Sequence, residues 1–215
     1  MFGLGDFARI AERYLDLDSE HEVVAFTVHG EYVDRPELSG RPVVPLEEIV
    51  ERHPPDETAM FVAIGFSRTN RARATVYEEC KKLGYELISY VSTKAMFWPD
   101  VPFGDNCFVF EANVVQPGVR IGSDVVLWSG NHIGHDVEIG DHCFLASHVV
   151  VSGNATIGHH SFLGVNATIR DGITIAPRCV IGAGTLIMKD TEEGAVYSVR
   201  GTAVHDRKSW ELPNF

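Results

Sequence analysis

Fourteen aliphatic residues stand six apart, without a slip, from Val109 to Ile187: Val109, Val115, Ile121, Leu127, Ile133, Ile139, Leu145, Val151, Ile157, Leu163, Ile169, Ile175, Ile181 and Ile187. A period of six fits neither the 3.6-residue turn of a helix nor the alternation of a hairpin meander. It does fit a β-solenoid built from hexapeptides. The position four residues after each ladder residue is small or β-branched almost throughout, as at Val119, Val125, Val137, Cys143, Ala155, Ala167 and Cys179. Three hexapeptides to a coil give a triangular prism of three flat parallel sheets, with the ladder side chains filling its interior. Phe97 and Phe103 extend the register downward with larger residues, whereas residues 189–215 lose the period and are expected to form a loop and tail.

The cysteines do not read as a disulfide framework. Cys107, Cys143 and Cys179 lie 36 residues apart in the small inward column. That puts them two coils, or roughly 9–10 Å, from one another at ordinary strand spacing, beyond the approximately 7 Å between Cα atoms that a disulfide spans. They are expected to fill the core.

Before the ladder, strand and helix alternate. Gly3-Leu4-Gly5-Asp6-Phe7-Ala8 opens a helix whose apolar face is Phe7, Ile10, Ala11, Tyr14 and Leu15. His21 to Val28 reads as a strand, Pro45 begins a short helix, and Met60 to Gly65 reads as a buried strand. Asn70 to Leu83 reads as a helix closed by Gly84, and Tyr85 to Val91 as a further strand. This order implies a small parallel sheet flanked by helices. The chain therefore divides into residues 1–91 and residues 92–215. The formal charge of -12, from 18 basic and 30 acidic residues, argues against nucleic acid or an anionic membrane as partner. No apolar run approaches the roughly 20 residues of a membrane span, and the first residues carry no signal-peptide pattern. Cytoplasm is the expected compartment. Because Met1-Phe2 already reads as a strand, a few residues are expected to precede it.

Gly3, Gly5 and Asp6 fit a strand-to-helix turn whose amides face a phosphate. Three readings stay open: nucleotide or nucleotide-sugar binding, a dinucleotide redox site, and a purely structural turn. The redox reading wants an acidic residue at the end of the second strand, where the chain has Thr27-Val28-His29. A second lip on the same sheet edge is Gly65-Phe66-Ser67-Arg68.

Six of ten histidines fall between residues 132 and 160: His132, His135, His142, His148, His159 and His160. Metal binding, solvated or interface surface, and catalysis compete as explanations. No ligand spacing enforces a tetrahedral metal site, and no metal is expected. Residues eighteen apart should stack, which gives the columns Asp124–His142–His160, Ser123–Asp141–His159 and Pro117–His135–Gly153–Asp171. In the last, the residue one coil above His135 has no side chain. That leaves a notch beside the imidazole and an exposed backbone N–H, the parts that acyl transfer requires. Asp136 follows directly and can orient the ring only if the chain bends there.

The ladder, the segment Gly134-His135-Asp136-Val137-Glu138-Ile139-Gly140-Asp141 and the glycine-rich α/β start together resemble the hexapeptide-repeat acyltransferases that include sialic acid O-acetyltransferases and nucleotide-linked amino-sugar N-acetyltransferases. The resemblance implies an N-terminal Rossmann-like domain over residues 1–91 holding the nucleotide sugar. It implies a left-handed parallel β-helix over residues 92–215, a homotrimer, and acetyl-CoA bound between neighbouring helices as co-substrate. By position, the catalytic base falls on His135 and its acidic neighbour on Asp136. The oxyanion amide falls on Gly153, the pantetheine contacts near Val165 and on Ala183, and the sugar-nucleotide loops on Gly3, Gly5, Asp6, Gly65 and Ser67. Two positions depart from the pattern: some members have a histidine nine residues after the base, where this chain has Phe144, and the usual Gly-x-Pro-Ala near the C-terminus reads Arg200-Gly201-Thr202-Ala203. The implied activity is N-acetylation of a nucleotide-linked amino sugar, a 4-amino-4,6-dideoxyhexose. The alternatives are O-acetylation of a sugar hydroxyl and a non-catalytic scaffold or sugar-nucleotide sensor.

Overall fold

The six-residue period folds as its spacing demands. In the computed structural model, which describes residues 1–211, short strands pair in parallel with the strands eighteen residues further on. Phe108–Val109 pairs with Val126–Leu127, His132–Ile133 with Val150–Val151, and Glu138–Ile139 with Thr156–Ile157. Three sheets result. The docking sheet has seven strands from Tyr90–Val91 to Val196–Tyr197, the second has six from Met96–Phe97 to Leu186–Ile187, and the third has four from Arg120–Ile121 to Thr174–Ile175. The ladder residues and their small partners form one continuous buried core. Three parallel sheets with a hexapeptide period fit a left-handed β-helix. All four cysteines are free and buried, as fillers of cores should be.

The corners explain much of the composition. Asp124, Asp136, His142, His148, Asn154, His160 and Asn166 each turn the chain with φ between 57° and 60°. Among residues with side chains, Asn, Asp and His enter this left-handed region most readily. Three of the six clustered histidines therefore stand where the backbone needs a left-handed residue.

The N-terminal region carries helices α1 (Asp6–Asp18), α2 (Leu46–Arg52) and α3 (Arg71–Lys82). Its parallel pairs run from Arg41–Pro45 through Phe26–Val28 to Phe2, then to Val62 and, through Met60, to Leu87. In chain order the five strands thus lie 3-2-1-4-5 across the sheet. Alternation along the strands sends side chains to two faces. On one, Phe26, Val43 and Phe61 meet α1 through Phe7, Ala8, Ala11 and Leu15. The same cluster continues into Tyr90, Phe108, Phe110, Val126 and Phe144 of the docking sheet. On the other, Phe2, Val28, Val44, Met60 and Val62 meet α2 and α3. The outward aromatic residues of the docking sheet are therefore the seat of the α/β region.

Three expectations are corrected. The strand expected over His21–Val28 is confined to Phe26–Val28; the Val23 amide instead donates to the Asp16 carboxylate at 3.1 Å, tying the segment to α1. The stretch Tyr85–Val91 serves both regions: Leu87 bridges Met60, whereas Tyr90–Val91 is already the lowest rung of the docking sheet. The β-helix thus begins before residue 92. The segment after residue 188 is not all loop, because Val196–Tyr197 pairs with Val180–Ile181. That rung lies sixteen rather than eighteen residues on, so the six-residue pattern does not reveal it. Among the described residues no helix is long and apolar enough to cross a membrane.

Phe108 is fully buried and packs its ring against Phe7, Phe61, Tyr90 and Phe110. Phe108→Ala should cost about 3–5 kcal/mol of stability, measured by denaturant unfolding. A change below about 1 kcal/mol would mean that the two regions do not share this core.

Candidate active site

His135 sits at the corner between the second and third sheets. Its amide donates to Gln116 Oε1 at 2.8 Å, and its carbonyl accepts from the Asn154 amide at 2.9 Å, so the backbone is fixed from the coils on both sides. Asp136 takes φ 58°, and this is the bend that lets adjacent side chains meet. His135 Nδ1 lies 2.9 Å from Asp136 Oδ2. An ionised carboxylate accepts only, so Nδ1 is the donor to it, and in the neutral imidazole Nε2 then keeps the lone pair. Gly118, one coil below, leaves the space that the Asp136 carboxylate fills.

The bare position at Gly153 is not an empty notch. A Cβ placed there would lie 2.6 Å from His135 Nε2 and 2.7 Å from Cε1. The imidazole itself occupies the room that the glycine vacates. A flat ring over a backbone without Cβ is held in one orientation while more than half of its side-chain surface stays exposed.

A second feature lies where the α/β region meets the docking sheet. Asp6 and Phe7 at the start of α1, Gly65 and Phe66 of the second lip, and Trp128, Phe144, Ala146, Ser147 and Val165 line a cleft of about 300 Å³. Three expected positions, Asp6, Gly65 and Val165, thus come together. Gly5 caps α1 in extended conformation with open space where a side chain would be, and no side chain bonds the helix's first amides. Gly3 has φ 125°, and a Cβ there would strike the Ala63 carbonyl at 2.8 Å, so its glycine is required by packing between strands. Ser67 is exposed and lies outside the cleft lining, and Ala183 stacks one coil above Val165, whose carbonyl accepts from the Gly184 amide at 2.8 Å. His135 and Gly153 do not line this cleft. The second sheet separates the two corners.

The aromatic members of the cleft were not singled out from sequence as ligand contacts. Phe66 is 54% exposed and leans over Phe144 and Phe162, with ring centroids 5.2 and 4.7 Å away. Phe144 sits on the docking sheet under Phe66, so the residue nine after His135 belongs to the cleft rather than to the His135 corner. The eighteen-residue stack of Val126, Phe144 and Phe162 was the available signal. It points outward, away from the inward ladder that the six-residue period marks.

His142, His159 and His160 stand in the expected columns at the corner between the third and docking sheets, whereas His132 lies on the second sheet and His148 at the corner between the docking and second sheets. His142 Nδ1 lies 2.8 Å from the buried Asp124 carboxylate, and the His142 and His160 rings are 4.6 Å apart. His159 Nδ1 and His160 Nδ1 approach to 3.0 Å. Burial, with the neighbouring His142, His159 and Arg178, lowers the His160 pKa to about 4, against the opposing pull of Asp124. Among the described residues no group of three or more His, Cys, Asp or Glu is arranged to hold a metal ion.

A model of the bacterial transferase hexapeptide (six repeats) matches residues 118–153 and 154–189. Among solved structures, PerB from Caulobacter crescentus in complex with CoA and GDP-perosamine is 25% identical, over 91% of this chain and 90% of that one, with TM-score 0.82. The chain resembles a hexapeptide-repeat sugar acetyltransferase. The acetyltransferase domain of PglB from Neisseria gonorrhoeae FA1090, in complex with acetyl coenzyme A, is 24% identical over 91% of this chain and 92% of that one, with TM-score 0.79. WeeI from Acinetobacter baumannii AYE is 19% identical over 91% of this chain and 93% of that one, with TM-score 0.64. A comparison with curated proteins finds no match.

Two outcomes follow from this geometry. Gly153→Ala should displace the His135 ring, seen as a shifted imidazole resonance, while costing only about 1–3 kcal/mol of stability; an unmoved ring would contradict the close approach. A His160 pKa held below its unfolded value means that the unfolded chain binds the proton first. Its contribution to stability is therefore complete above about pH 6.5 and is lost as pH falls towards about 4. His160→Gln should flatten that part of the stability profile, measured by thermal melts across the range.

Proposed function

We propose that the protein is an acetyl-CoA-dependent N-acetyltransferase acting on the amine of a nucleotide-linked amino sugar, a 4-amino-4,6-dideoxyhexose, with His135 as general base. The observation that carries this reading is the exposed imidazole seated over Gly153, with Asp136 on Nδ1 and Nε2 free to accept a proton. It stands in a chain folded like PerB, which was crystallised with CoA and GDP-perosamine.

In this reading the α/β region is Rossmann-like, which its 3-2-1-4-5 strand order supports. The nucleotide lies over Gly3, Gly5 and Asp6 and against the lip from Gly65 to Ser67. The sugar enters the cleft, where Phe66, Trp128 and Phe144 offer aromatic faces to its apolar side. The open helix start at Gly5 favours the anionic phosphates. His135 Nε2 removes a proton from the sugar amine, directly or through water, as the nitrogen attacks the thioester carbonyl. Gly153 N–H steadies the tetrahedral oxyanion, Asp136 steadies the imidazolium, and coenzyme A leaves as thiolate and takes up a proton. Val165 and Ala183 flank the pantetheine arm. No covalent acyl-enzyme forms, because Cys143 is buried and its thiol pKa is raised by desolvation to about 12.

Within one chain the cleft and His135 stand on different corners, so the reading needs a second copy to bring them together. The outward column of the second sheet supports such an assembly: Met96 and Leu186 are exposed, with Val114, His132 and Val150 half-buried between them. A homotrimer with acetyl-CoA held between neighbouring β-helices, in the cytoplasm, completes the proposal.

The test is a thiol-release assay with acetyl-CoA against a panel of UDP-, TDP- and GDP-linked amino sugars. His135→Asn should lower kcat by about 10²–10⁴ with KM little changed. Near-wild-type turnover would remove His135 from the base role. Turnover of a sugar hydroxyl in preference to every amine would make the enzyme an O-acetyltransferase.

A further inference from the structure

We propose that Arg73 is a positioning residue for the acceptor site, one guanidinium that fixes the Gly65–Ser67 lip to the β-helix. Arg73 lies on α3, is fully buried, and divides its donors between two structures. On one side Nη1 donates to the Gly65 carbonyl at 3.2 Å, with the Ile64 carbonyl at 3.5 Å. On the other, Nη2 donates to the carbonyls of Asp124 at 3.0 Å, His142 at 3.1 Å and Cys143 at 3.2 Å, and Nε donates to Asp124 Oδ1 at 2.9 Å.

Asp124 is held in turn. Its carboxylate accepts from Asn106 Nδ2 at 2.7 Å and from His142 Nδ1 at 2.8 Å, and Asn106 Oδ1 accepts from the Val62 amide at 2.8 Å. The chain of bonds therefore starts at the strand that leads to the lip, passes through two coils of the β-helix, and returns to the lip's own carbonyl. Burial of an Arg–carboxylate pair is costly and is poor evidence of added stability. A planar fork with donors on both edges is what this task requires, and lysine cannot span both sides.

Besides Arg73, the lip is held by the Phe66 ring against Phe144 and Phe162 and by the Asn70 amide, which donates to the Phe66 carbonyl at 3.3 Å. Gly65 has open space around its Cα, Phe66 and Ser67 are exposed, and the three residues that follow, Arg68, Thr69 and Asn70, all take positive φ before α3 begins. Such a run is unfavourable unless the surroundings determine it. Asn70 supplies an independent anchor one coil higher: its Nδ2 donates to Ser161 O at 3.0 Å and His160 O at 3.3 Å, and this side chain does not touch the lip carbonyls. The two side chains thus separate docking of α3 from placement of the lip.

This inference rests on the nucleotide-sugar reading above, and the experiment distinguishes them. Binding of UDP-, TDP- and GDP-linked 4-amino-4,6-dideoxyhexoses, and separately of coenzyme A, is measured by calorimetry for wild type, Arg73→Lys and Asn70→Gly, with KM values from the thiol-release assay. Arg73→Lys should raise Kd and KM for the nucleotide sugar by about tenfold or more, the scale of a lost charged hydrogen bond, and leave coenzyme A binding unchanged. Asn70→Gly, which keeps the left-handed backbone, should lower Tm without that selective loss. Equal effects of the two variants on the nucleotide sugar, or a parallel loss of coenzyme A binding in Arg73→Lys, would reduce Arg73 to a docking contact and overturn the proposal. Wild-type protein that binds none of the nucleotide sugars would take down the functional reading and this inference with it. If Arg73→Lys yields no folded protein, trypsin decides on the wild type: the Arg68–Thr69 bond should survive while Arg200 and Arg207 in the exposed tail are cut. Cleavage at Arg68 as fast as in the tail would overturn the assignment.

Discussion

The parallel pairing of each rung with the rung eighteen residues away governs the rest of the molecule. A backbone amide of one coil donates to a carbonyl of the next, as from Gly134 to Val151 at 2.8 Å and from Gly140 to Ile157 at 2.8 Å. Because this register does not drift over the central coils, side chains far apart in sequence become vertical neighbours. The seat of His135 over Gly153, the contact of Asp124 with His142 and the aromatic stack from Val126 to Phe162 all come from one register. A slip of a single residue would turn ladder side chains outward and dismantle every column together.

Two kinds of contact join the α/β region to this frame. An aromatic cluster around Phe7, Phe108 and Phe110 buries apolar surface without regard to direction. The Arg73 and Asn70 side chains add direction, because they read carbonyls at defined corners of successive coils. Apolar packing sets how firmly the regions adhere; the polar bonds set where the lip comes to rest beside Trp128 and Phe144.

Periodicity made the solenoid legible from sequence, since an inward column needs the same kind of residue at every turn. It also revealed vertical neighbours, including His135 with Gly153. Ring placement was not legible. Whether an imidazole stands beside a glycine or over it depends on the left-handed turn at Asp136, and an Asp in a corner does not announce its φ. The cleft was half legible: glycines at strand ends marked the two lips. Its aromatic wall was hidden, because outward residues on a solenoid are free to vary except on the one face that another domain covers. The sixteen-residue final lap breaks the period and leaves no six-residue signal.

That final lap has a consequence for the upper end of the prism. A stack of identical rungs ends in unpaired amides and carbonyls, an invitation for another molecule to add itself on top. Here Val196–Tyr197 adds one more rung to the docking sheet and becomes its upper edge. On another side Asp190 Oδ1 accepts from the Thr174 amide and Thr191 Oγ1 from the Ala176 amide, both at 2.8 Å. On that side the last amides are thus occupied by side chains from outside the repeat, and a further strand would find no free donor at residues 174 and 176.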